Sequence, residues 1–282
     1  MTTAASMSVC LIGVGAMGEA ILAGLASARP DPESIVIIDA HRDRGQAMAS
    51  TYGVTLASDL QQAVTGVGCV VVAVKPHDVV TILESIAGQL AADTVVVSIA
   101  AGVTEQTLRD HLRADQPVVR VMPNTAALVG EAMSAMSSSG PGAAPALAKA
   151  RVVLESIGRV IEVDEQQMDA VTALSGTGPA YVMYVAEAMI DAGVLLGLPR
   201  AQATELVSQT LFGSAKLLVQ SGDHPTLLKE RVTSPGGTTI AALATLEDRA
   251  VKAGIVAAVK ACFQRSADMT TQPDPIRSDD SC

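Results

Sequence analysis

The length and composition of the chain point to a two-domain protein with an acidic surface. Its 282 residues are 49% hydrophobic but only 2% aromatic, so the core has to be built from small aliphatic side chains. The net charge of −10, without any basic run, argues against nucleic acid as a partner. Because an acidic surface does not attract anions at long range, a site for an anionic substrate must be made locally from backbone amides or a few cations.

The use of cysteine indicates a reducing compartment. The chain has no C-x-x-C pair and no histidine at ligand spacing from a cysteine, and its four cysteines are scattered: Cys10, Cys69, Cys262 and Cys282. This pattern predicts reduced thiols, no metal site and a cytoplasmic protein.

One stretch, residues 179–198, has the apolar character of a membrane span. It contains Glu187 and Asp191, and each acid would cost about 2.5–3.5 kcal/mol near the centre of a bilayer. A helix buried in protein is therefore the better interpretation. Residues 1–7 lack the basic and apolar regions of a signal peptide, so we expect neither membrane insertion nor secretion.

The first residues that point to a function form a dinucleotide-binding pattern. A short buried strand is predicted at 8–12, and Gly13, Gly15 and Gly18 follow at G-x-G-x-x-G spacing before a helical pattern over 19–27. The first glycine permits a tight turn, the second lets the backbone approach a pyrophosphate, and the third lets the helix pack on the strand. The phosphates then face the free N–H groups of the helix N-terminus.

The second predicted strand, 34–39, ends in an acid that bears on the choice of cofactor. Asp39 stands at the distance from the glycines at which a carboxylate accepts hydrogen bonds from the adenosine ribose, which favours NAD. His41, Arg42 and Arg44 follow directly and could instead hold the 2′-phosphate of NADP. The two arginines could equally be the solvated start of a helix, and the sequence leaves these alternatives open.

Short apolar runs continue to alternate with helical patterns as far as residue 163. Strands are predicted at 54–56, 69–74, 94–98, 118–122 and 160–163, with a loop at 137–145. Continuous apolar runs are typical of strands covered on both faces. We therefore predict an α/β domain over 1–163 that is a doubly wound, Rossmann-type parallel sheet and binds the dinucleotide. Lys75, at the end of one strand, would lie where ligands bind in such sheets, and Ala100 and Ala101 leave room for a nicotinamide.

From residue 164 onwards, long segments rich in Ala, Leu and Met replace the strand patterns. Helices are predicted at 165–174, 180–196, 200–220, 226–232 and 238–266, interrupted near Gly176 and Gly178, and a disordered tail is predicted at 271–282. Large apolar side chains such as Tyr184 and Leu195 are spread around the whole circumference of one helix. A domain of about 100 residues cannot surround its own helices, so we predict an all-α domain over 164–270 that forms an intertwined homodimer.

A second group of functional residues is predicted in a Ser/Pro/Gly/Thr-rich turn that precedes the last long helix. The unpaired amides of Gly237, Thr238 and Thr239 would converge there, assisted by the hydroxyls of Ser234 and Thr239. Such a turn is a small-anion site, sized for a carboxylate. The alternative is an ordinary helix start with threonine as its cap.

The histidines supply no evident proton donor. None of His41, His77, His111 and His224 has an acid–base partner in the sequence, and each is predicted to be a surface or packing residue. A carbonyl reductase normally needs a donor for the nascent alkoxide, whereas a protonated imine accepts hydride directly. The cofactor fold, the carboxylate site and the missing acid together predict reduction of a C=N bond.

Five motifs in order resemble those of pyrroline-5-carboxylate reductase. They are Gly13–Gly18, Ala73–Pro76, Arg120–Thr125, Leu174–Tyr181 and Ser234–Thr239, and they span nearly the whole chain. The resemblance implies NAD(P)H-dependent reduction of 1-pyrroline-5-carboxylate to L-proline, the last step of proline biosynthesis. It also implies a helical C-terminal dimer, often assembled into a pentamer of dimers.

The resemblance also implies roles for individual residues. Thr239 would be catalytic through a hydrogen bond to the ring nitrogen, and Ser234, Gly237 and Thr238 would join it in binding the substrate. Asp39 comes from the spacing argument above, and with it the cofactor-binding residues are Ile12, Gly13, Val14, Gly15, Ala16, Met17, Ala73, Val74, Lys75, Pro76, Ile99, Ala100, Ala101 and Asn124. Many members have Asn-Arg where this chain has Asp39-Ala40, and Asn where it has Leu60. These departures leave NADPH and NADH both open as cofactors.

Two other hypotheses remain to be weighed. A β-hydroxyacid dehydrogenase would share the glycine motif and a helical second domain, but it needs a catalytic lysine that residues 180–190 lack. A non-catalytic dinucleotide sensor would have no use for a carboxylate site. Oxidation of NAD(P)H with 1-pyrroline-5-carboxylate distinguishes the reductase from the sensor, which would bind cofactor without turnover.

Overall fold

The computed structural model describes residues 7–28, 31, 34–140 and 142–271, and the chain forms two compact units. The first unit runs to Thr177 and resumes at Cys262, and the second is Gly178–Ala261. Of the predicted tail 271–282, only Thr271 belongs to the described residues, and the first six residues of the chain also lie outside them.

An eight-stranded sheet forms the centre of the first unit. Its strands are β1 Val9–Ile12, β2 Ile35–Ile38, β3 Thr55–Leu56, β4 Cys69–Val72, β5 Val95–Ser98, β6 Val118–Met122, β7 Ala132–Ser137 and β8 Gly158–Glu162. Their order in the sheet is β3-β2-β1-β4-β5-β6-β7-β8. Neighbouring strands are parallel except β6 and β7. The predicted fold class, a doubly wound Rossmann-type sheet followed by a helical domain, is confirmed.

Helices cover both faces of this sheet. They are α1 Ala16–Ala28, α2 Arg42–Tyr52, α3 Leu60–Val64, α4 Val79–Ile86, α5 Glu105–Asp110, α6 Ala143–Leu154 and α7 Met168–Val171. Alternate residues of each strand enter opposite cores: Leu11 of β1 packs in one with α1 and α6, and Cys10 packs in the other with α3 and α4. Because both faces are covered, β1, β4 and β5 are buried along their whole length, as their continuous apolar runs predict.

Local signals fixed several of the helix ends in this unit. Asp59 caps α3 by accepting a hydrogen bond from the Gln62 amide at 2.8 Å, and Thr104 caps α5 in the same way through the Thr107 amide at 3.0 Å. Aspartate and threonine are among the residues preferred at this capping position.

The antiparallel strand β7 is the part of the sheet that the sequence-based prediction missed. Its residues, Ala132–Ser137, include no β-branched side chain, so the segment lacks the composition by which the other strands are recognised. The predicted loop 137–145 is also too long, because β7 ends at Ser137 and α6 already begins at Ala143. The sheet is therefore mixed at this end, where β7 pairs antiparallel with β6 and parallel with β8.

The second unit is helical. It contains α8 Gly178–Leu195, α9 Arg200–Ser221, α10 Pro225–Arg231, α11 Thr238–Asp248 and the first half of α12 Val251–Thr271. The prediction of one helix over 238–266 is wrong, because α11 ends before Ala250, whose φ of +52° interrupts the helix. No glycine or proline marks this break. The predicted interruption near Gly176 is present: a π-helical turn, Thr172–Gly176, ends at Thr177 before α8 begins.

The described residues contain neither a candidate membrane-spanning helix nor a candidate metal-binding cluster. None of their helices is long and apolar enough to cross a membrane. No group of three or more His, Cys, Asp or Glu side chains among them is arranged to hold a metal ion.

The fold predicts that Cys10 is unreactive in the native protein. Burial between the sheet and its helices, reinforced by neighbouring Cys69, raises the pKa of the Cys10 thiol to about 12. At pH 8 roughly one molecule in ten thousand would carry the reactive thiolate, so we expect no alkylation by iodoacetamide without unfolding. Peptide-resolved mass spectrometry measures this, with the urea-unfolded chain as control. Fast modification of Cys10 in native protein would contradict the assigned packing of β1.

Candidate active site

The carboxyl ends of five neighbouring strands gather the predicted cofactor-binding residues at one edge of the sheet. In sheet order, the segments that leave this edge begin at Asp39 after β2, Gly13 after β1, Ala73 after β4, Ile99 after β5 and Pro123 after β6. The chain direction around the sheet reverses between β1 and β4, and open α/β sheets bind their ligands in the crevice at such a point. The structure therefore places the predicted residues Ile12 to Met17, Asp39, Ala73 to Pro76, Ile99 to Ala101 and Asn124 along the same edge.

The glycine turn after β1 is closely packed on one side and open on the other. Gly13 has a φ of +91°, and a Cβ placed on it would lie 2.8 Å from the carbonyl oxygen of Ala73. A Cβ on Gly18 would overlap the carbonyl oxygen of Gly13, so α1 crosses directly over the turn. A Cβ on Gly15 would meet no protein atom within 4 Å. The open position is the one where a pyrophosphate approaches the backbone in this motif, so the residues present fit a dinucleotide.

Asp39 is connected to this turn by a hydrogen bond. Its Oδ2 accepts the Val14 amide at 2.8 Å and its Oδ1 accepts the His41 amide at 2.7 Å. Arg44 forms an ion pair with the same carboxylate, with Nη2 at 2.8 Å from Oδ1. Burial alone would raise the pKa of Asp39, but the hydrogen bonds from Arg44, Val14 and His41 and the charge of Arg44 outweigh it and lower the pKa below its ordinary value. Asp39 is therefore ionised at neutral pH.

The segments after β4 and β5 lie beside the glycine turn. The Ala73 amide donates to the carbonyl of Ile12 at 2.8 Å, and the Ile99 amide donates to that of Val72 at 3.2 Å, which extends the ladder to the edge. Lys75 is exposed and precedes a short 3₁₀ helix that begins at Pro76. The side chain of Lys75 is therefore free to contact a ligand at this edge.

Asn124 holds the end of β6 against the π-helical turn. Its Nδ2 lies 3.3 Å from the carbonyl oxygen of Ser175, and its Oδ1 accepts the Met133 amide at 3.3 Å. The sequence-based prediction listed Asn124 as a cofactor-binding residue and did not foresee the contact with Ser175. Asn124 and Ser175 belong to the motifs Arg120–Thr125 and Leu174–Tyr181, which the sequence had already identified. Only the fold shows that a hydrogen bond connects these two motifs.

A buried polar network behind this edge was not predicted. Arg120 of β6 donates to Glu165 Oε1 at 2.8 Å, and the Ser137 hydroxyl lies 2.7 Å from an oxygen of both Glu105 and Glu165. Ser139 donates to Glu105 through its amide at 2.9 Å. The network connects the start of α5, the strands β6 and β7, and the segment that leads to α7. The signal in the sequence was a lone arginine inside the apolar run V-V-R-V-M, since a buried charge requires a partner.

The predicted substrate-binding residues form a tight turn within the helical unit. The Gly237 amide donates to the carbonyl of Ser234 at 3.1 Å, and Gly236 has a φ of +68° behind Pro235, as in a type II turn. The prediction of an unpaired Gly237 amide is therefore wrong, because the turn itself uses this donor. A Cβ on Gly237 would crowd the Ser234 hydroxyl, which would have to rotate away. The first amides of α11 have no intrahelical partners, as in every α-helix. Gly237 is the N-cap of this helix and has no side chain that could accept a hydrogen bond from them.

The hydroxyls of this turn have no assigned partner. Within the described residues, the side chains of Ser234, Thr238 and Thr239 make no hydrogen bond, and Thr239 is half-buried while the other two are exposed. Free N–H groups at the N-terminus of an 11-residue helix, with hydroxyls beside them, attract a carboxylate. A carboxylate site at this turn stays a prediction.

Within the described residues, no histidine side chain makes a hydrogen bond or ion pair with the predicted site residues, although His41 bonds Asp39 through its amide. His77 and His111 pair with Asp78 and Glu84 at 3.5 and 3.0 Å, and His224 caps α10 by accepting the Thr226 amide at 3.2 Å. His41 precedes α2 and is exposed. The prediction that each histidine is a surface or packing residue is confirmed.

The helical unit has almost no core of its own. Between Gly178 and Ala261 the buried apolar side chains are those of Ala203 and Val207. By contrast, Tyr184 is 75% exposed and Leu195 88% exposed in the single chain, and further exposed apolar residues follow on every helix of the unit. Apolar surface of this extent marks a face that another protein chain covers.

Comparisons with known proteins show which family the chain is similar to. The family described as "Pyrroline-5-carboxylate reductase dimerisation" matches residues 165–269, and the family described as "NADP oxidoreductase coenzyme F420-dependent" matches residues 8–102. A pyrroline-5-carboxylate reductase from Synechocystis is 42% identical over 265 residues, which cover 94% of this chain and 98% of that protein.

Solved structures give the same result. The pyrroline-5-carboxylate reductase of Coxiella burnetii has a TM-score of 0.90 at 29% identity and covers 95% of this chain and 100% of its own. The enzyme of Plasmodium falciparum, solved with NADP bound, has a TM-score of 0.84 at 30% identity and covers 94% of this chain and 99% of its own. The chain therefore belongs to the pyrroline-5-carboxylate reductases, NAD(P)H-dependent oxidoreductases that act on a C=N bond in proline biosynthesis.

Proposed function

We propose that this chain reduces 1-pyrroline-5-carboxylate to L-proline and that its two groups of site residues divide the work between cofactor and substrate. The observation that carries the proposal is the co-occurrence of an open glycine turn at the switch point of the sheet with a Ser-Pro-Gly-Gly-Thr-Thr turn at a helix N-terminus. The first is suited to a dinucleotide and the second to a small carboxylate. Membership of the reductase family supports both assignments.

The first group would bind the cofactor. The amides of residues 15–17, where α1 begins, would face the pyrophosphate, and Lys75 would add a positive charge beside it. Ala100 and Ala101 are small, and Ala101 is exposed, so a nicotinamide ring can approach the chain at the end of β5. When bound, the cofactor supplies the hydride, and these residues fix where it is delivered.

The second group would bind the substrate carboxylate. The amides of Thr238 and Thr239 carry the partial positive charge of the N-terminus of α11, and the Ser234 hydroxyl adds a further donor. The Gly237 amide, in contrast, already donates to the Ser234 carbonyl. In an acidic protein, a local site of this kind can hold an anion without any arginine or lysine. Because the carboxylate and the imine carbon belong to the same small ring, a protein that holds the carboxylate also limits where the imine carbon can lie.

The reaction needs little acid–base help from the protein. Hydride adds to the imine carbon, the C=N π electrons become the nitrogen lone pair, and a substrate that is already protonated on nitrogen leaves as the neutral amine. The Thr239 hydroxyl would hydrogen-bond the ring nitrogen and orient it. A threonine hydroxyl is a poor acid, so we assign Thr239 to positioning at the reacting atom and not to strong general-acid catalysis.

We also infer that the working protein is a cytoplasmic homodimer. The match of residues 165–269 to a dimerisation family and the exposed apolar surface of the helical unit support the dimer. Two further proposals are assembly into a pentamer of dimers, which rests on the resemblance to the family, and a cytoplasmic location, which rests on the scattered cysteines. The deciding assay for the function is oxidation of NADPH or NADH by the purified chain with 1-pyrroline-5-carboxylate; binding of cofactor without turnover would favour a sensor.

A matched pair of glycine variants tests the cofactor site. Gly15→Ala should fold normally, because its Cβ enters open space, but should weaken NADP⁺ binding at least about tenfold by crowding the pyrophosphate. Gly18→Ala should instead lower the free energy of unfolding by about 1–3 kcal/mol, because its Cβ overlaps the Gly13 carbonyl. Calorimetric titration and urea unfolding measure the two effects. If folded Gly15→Ala binds NADP⁺ with unchanged affinity, the pyrophosphate does not bind at this turn and the assignment is refuted.

Substitution of Thr239 tests the substrate site. Thr239→Val keeps the shape and removes one hydrogen bond, so kcat/KM for 1-pyrroline-5-carboxylate should fall about tenfold to a hundredfold while the Kd for NADPH stays constant. Thr239→Ser should retain most of the activity. Thr245→Val is the control, since the Thr245 hydroxyl bonds the Ala241 carbonyl at 3.1 Å within the same helix. Full activity of Thr239→Val would exclude the proposed hydrogen bond.

Solution mass tests the homodimer. Sedimentation equilibrium at micromolar concentration should give at least twice the mass of one chain, and Tyr184→Asp should shift the equilibrium towards monomer because it places a charge on the apolar face of α8. Gln46→Asp, an exposed position on α2, adds the same charge in the first unit and should leave the mass unchanged. A monomeric parent protein would refute the dimer.

A further inference from the structure

The adenosine end of the cofactor crevice contains an ion pair that bears on the choice between NADPH and NADH. Asp39 directly follows β2, and Arg44 lies in the first turn of α2. The guanidinium of Arg44 lies flat against the carboxylate: Nη2 is 2.8 Å from Oδ1 and 3.0 Å from Oδ2, and Nε is 3.1 Å from Oδ2. This is the two-pronged geometry in which arginine binds carboxylates most strongly.

The carboxylate of Asp39 has no acceptor position left for a ribose. A carboxylate offers about four lone-pair positions, and the amides of Val14 and His41 occupy two of them while Arg44 occupies the others. The side chain of Asp39 is accordingly only 1% exposed. A ribose hydroxyl could reach it only if Arg44 were displaced, so in this arrangement Asp39 cannot act as the acceptor that favours NADH.

Arg44, in contrast, is available to a ligand. Its side chain is 43% exposed, and within the described residues its Nη1 makes no hydrogen bond. The guanidinium therefore presents its outer N–H groups to solvent while Asp39 fixes its orientation from behind. A donor that is already ordered loses little conformational entropy when an anion binds.

Arg42 is the competing cation at this end, and the geometry disfavours it. Its side chain is exposed and makes no hydrogen bond or ion pair in the part of the chain that the structure describes. A phosphate would have to order Arg42 itself, whereas Arg44 is held in place before the ligand arrives. The neighbouring carboxylate of Asp43 is also exposed and offsets part of the charge on this surface.

We propose that Arg44 binds the 2′-phosphate of NADPH and that Asp39 is its positioning residue, so that this reductase prefers NADPH. The inference rests on the proposed function, since it concerns the cofactor of that reaction. The spacing of Asp39 suggested that it accepts a ribose hydroxyl and favours NAD. In the proposed arrangement Asp39 instead favours NADPH, because it holds Arg44 in place for the 2′-phosphate. Loss of Arg44 would free the carboxylate for a ribose hydroxyl and move the preference towards NADH.

Calorimetric titration of the full chain tests the assignment without turnover. Arg44→Ala should weaken binding of NADP⁺ and of its fragment 2′,5′-ADP about tenfold to a hundredfold, the range expected for loss of charge-assisted hydrogen bonds. Binding of NAD⁺ and of 5′-AMP should stay equal or become tighter. Arg42→Ala should have the smaller effect, and Arg159→Ala, an exposed arginine on β8 at the opposite end of the sheet, should have none.

Asp39→Asn tests the positioning role separately. The amide keeps the size of the side chain but loses the charge that holds Arg44, so affinity for 2′,5′-ADP should fall while affinity for 5′-AMP stays constant. Selective loss of 5′-AMP binding would show that Asp39 contacts the ribose and would overturn the proposal. So would an unchanged ratio of NADP⁺ to NAD⁺ affinity in Arg44→Ala, a larger loss in Arg42→Ala, or tighter binding of NAD⁺ by the parent protein.

Turnover separates this inference from the proposed function. If the parent protein oxidises both cofactors with 1-pyrroline-5-carboxylate and Arg44→Ala leaves their kcat/KM ratio unchanged, the function stands and the role of Arg44 is refuted. If the parent protein binds neither dinucleotide, both are refuted. If the ratio of kcat/KM for NADPH to kcat/KM for NADH falls in Arg44→Ala by the same factor as the affinity ratio, the result supports both the function and the role of Arg44.

Discussion

The close approach of backbone to backbone at the glycine turn is the constraint on which the cofactor crevice depends. β1 lies between β2 and β4, and the chain that leaves it bends at Gly13 against the carbonyl of Ala73 before α1 passes over the turn at Gly18. No side chain fits at either position. Because the turn is so tight, the first amides of α1 and the segments after the neighbouring strands meet at one edge of the sheet, where a dinucleotide finds its donors preassembled.

Electrostatics at this edge are local and do not follow from the net charge. The chain carries a net charge of −10, yet a cation is held at this edge. Asp39 accepts the Val14 amide of the glycine turn and also pairs with Arg44, so one carboxylate fixes both the turn and the position of the cation. Behind the edge, Arg120 is buried and pairs with Glu165, which shares the Ser137 hydroxyl with Glu105. A buried charge with fully bonded partners is compatible with a stable core, whereas removal of one partner would leave the other uncompensated.

The helical unit poses the opposite problem, because it has much apolar surface and little interior. Only Ala203 and Val207 are buried among its apolar side chains, while α8 and α9 expose large ones. The turn at Ser234–Thr239 belongs to this unit. In the proposed homodimer, folding of the unit and assembly would be coupled, and the proposed substrate site would depend on both, as expected for proteins whose subunits lack a core of their own.

The sequence by itself determined seven of the eight strands, the glycine turn and the position of the Ser/Pro/Gly/Thr-rich turn, because each depends on a local signal: an apolar run, or glycines that permit a positive φ. It did not predict β7, whose small residues have no strand signature, or the break at Ala250, which no glycine or proline marks. Nor did it predict the pairing of Asp39 with Arg44 or of Arg120 with Glu165. Those contacts were decided by the tertiary structure, since which partner a charge meets depends on the packing of segments far apart in the chain.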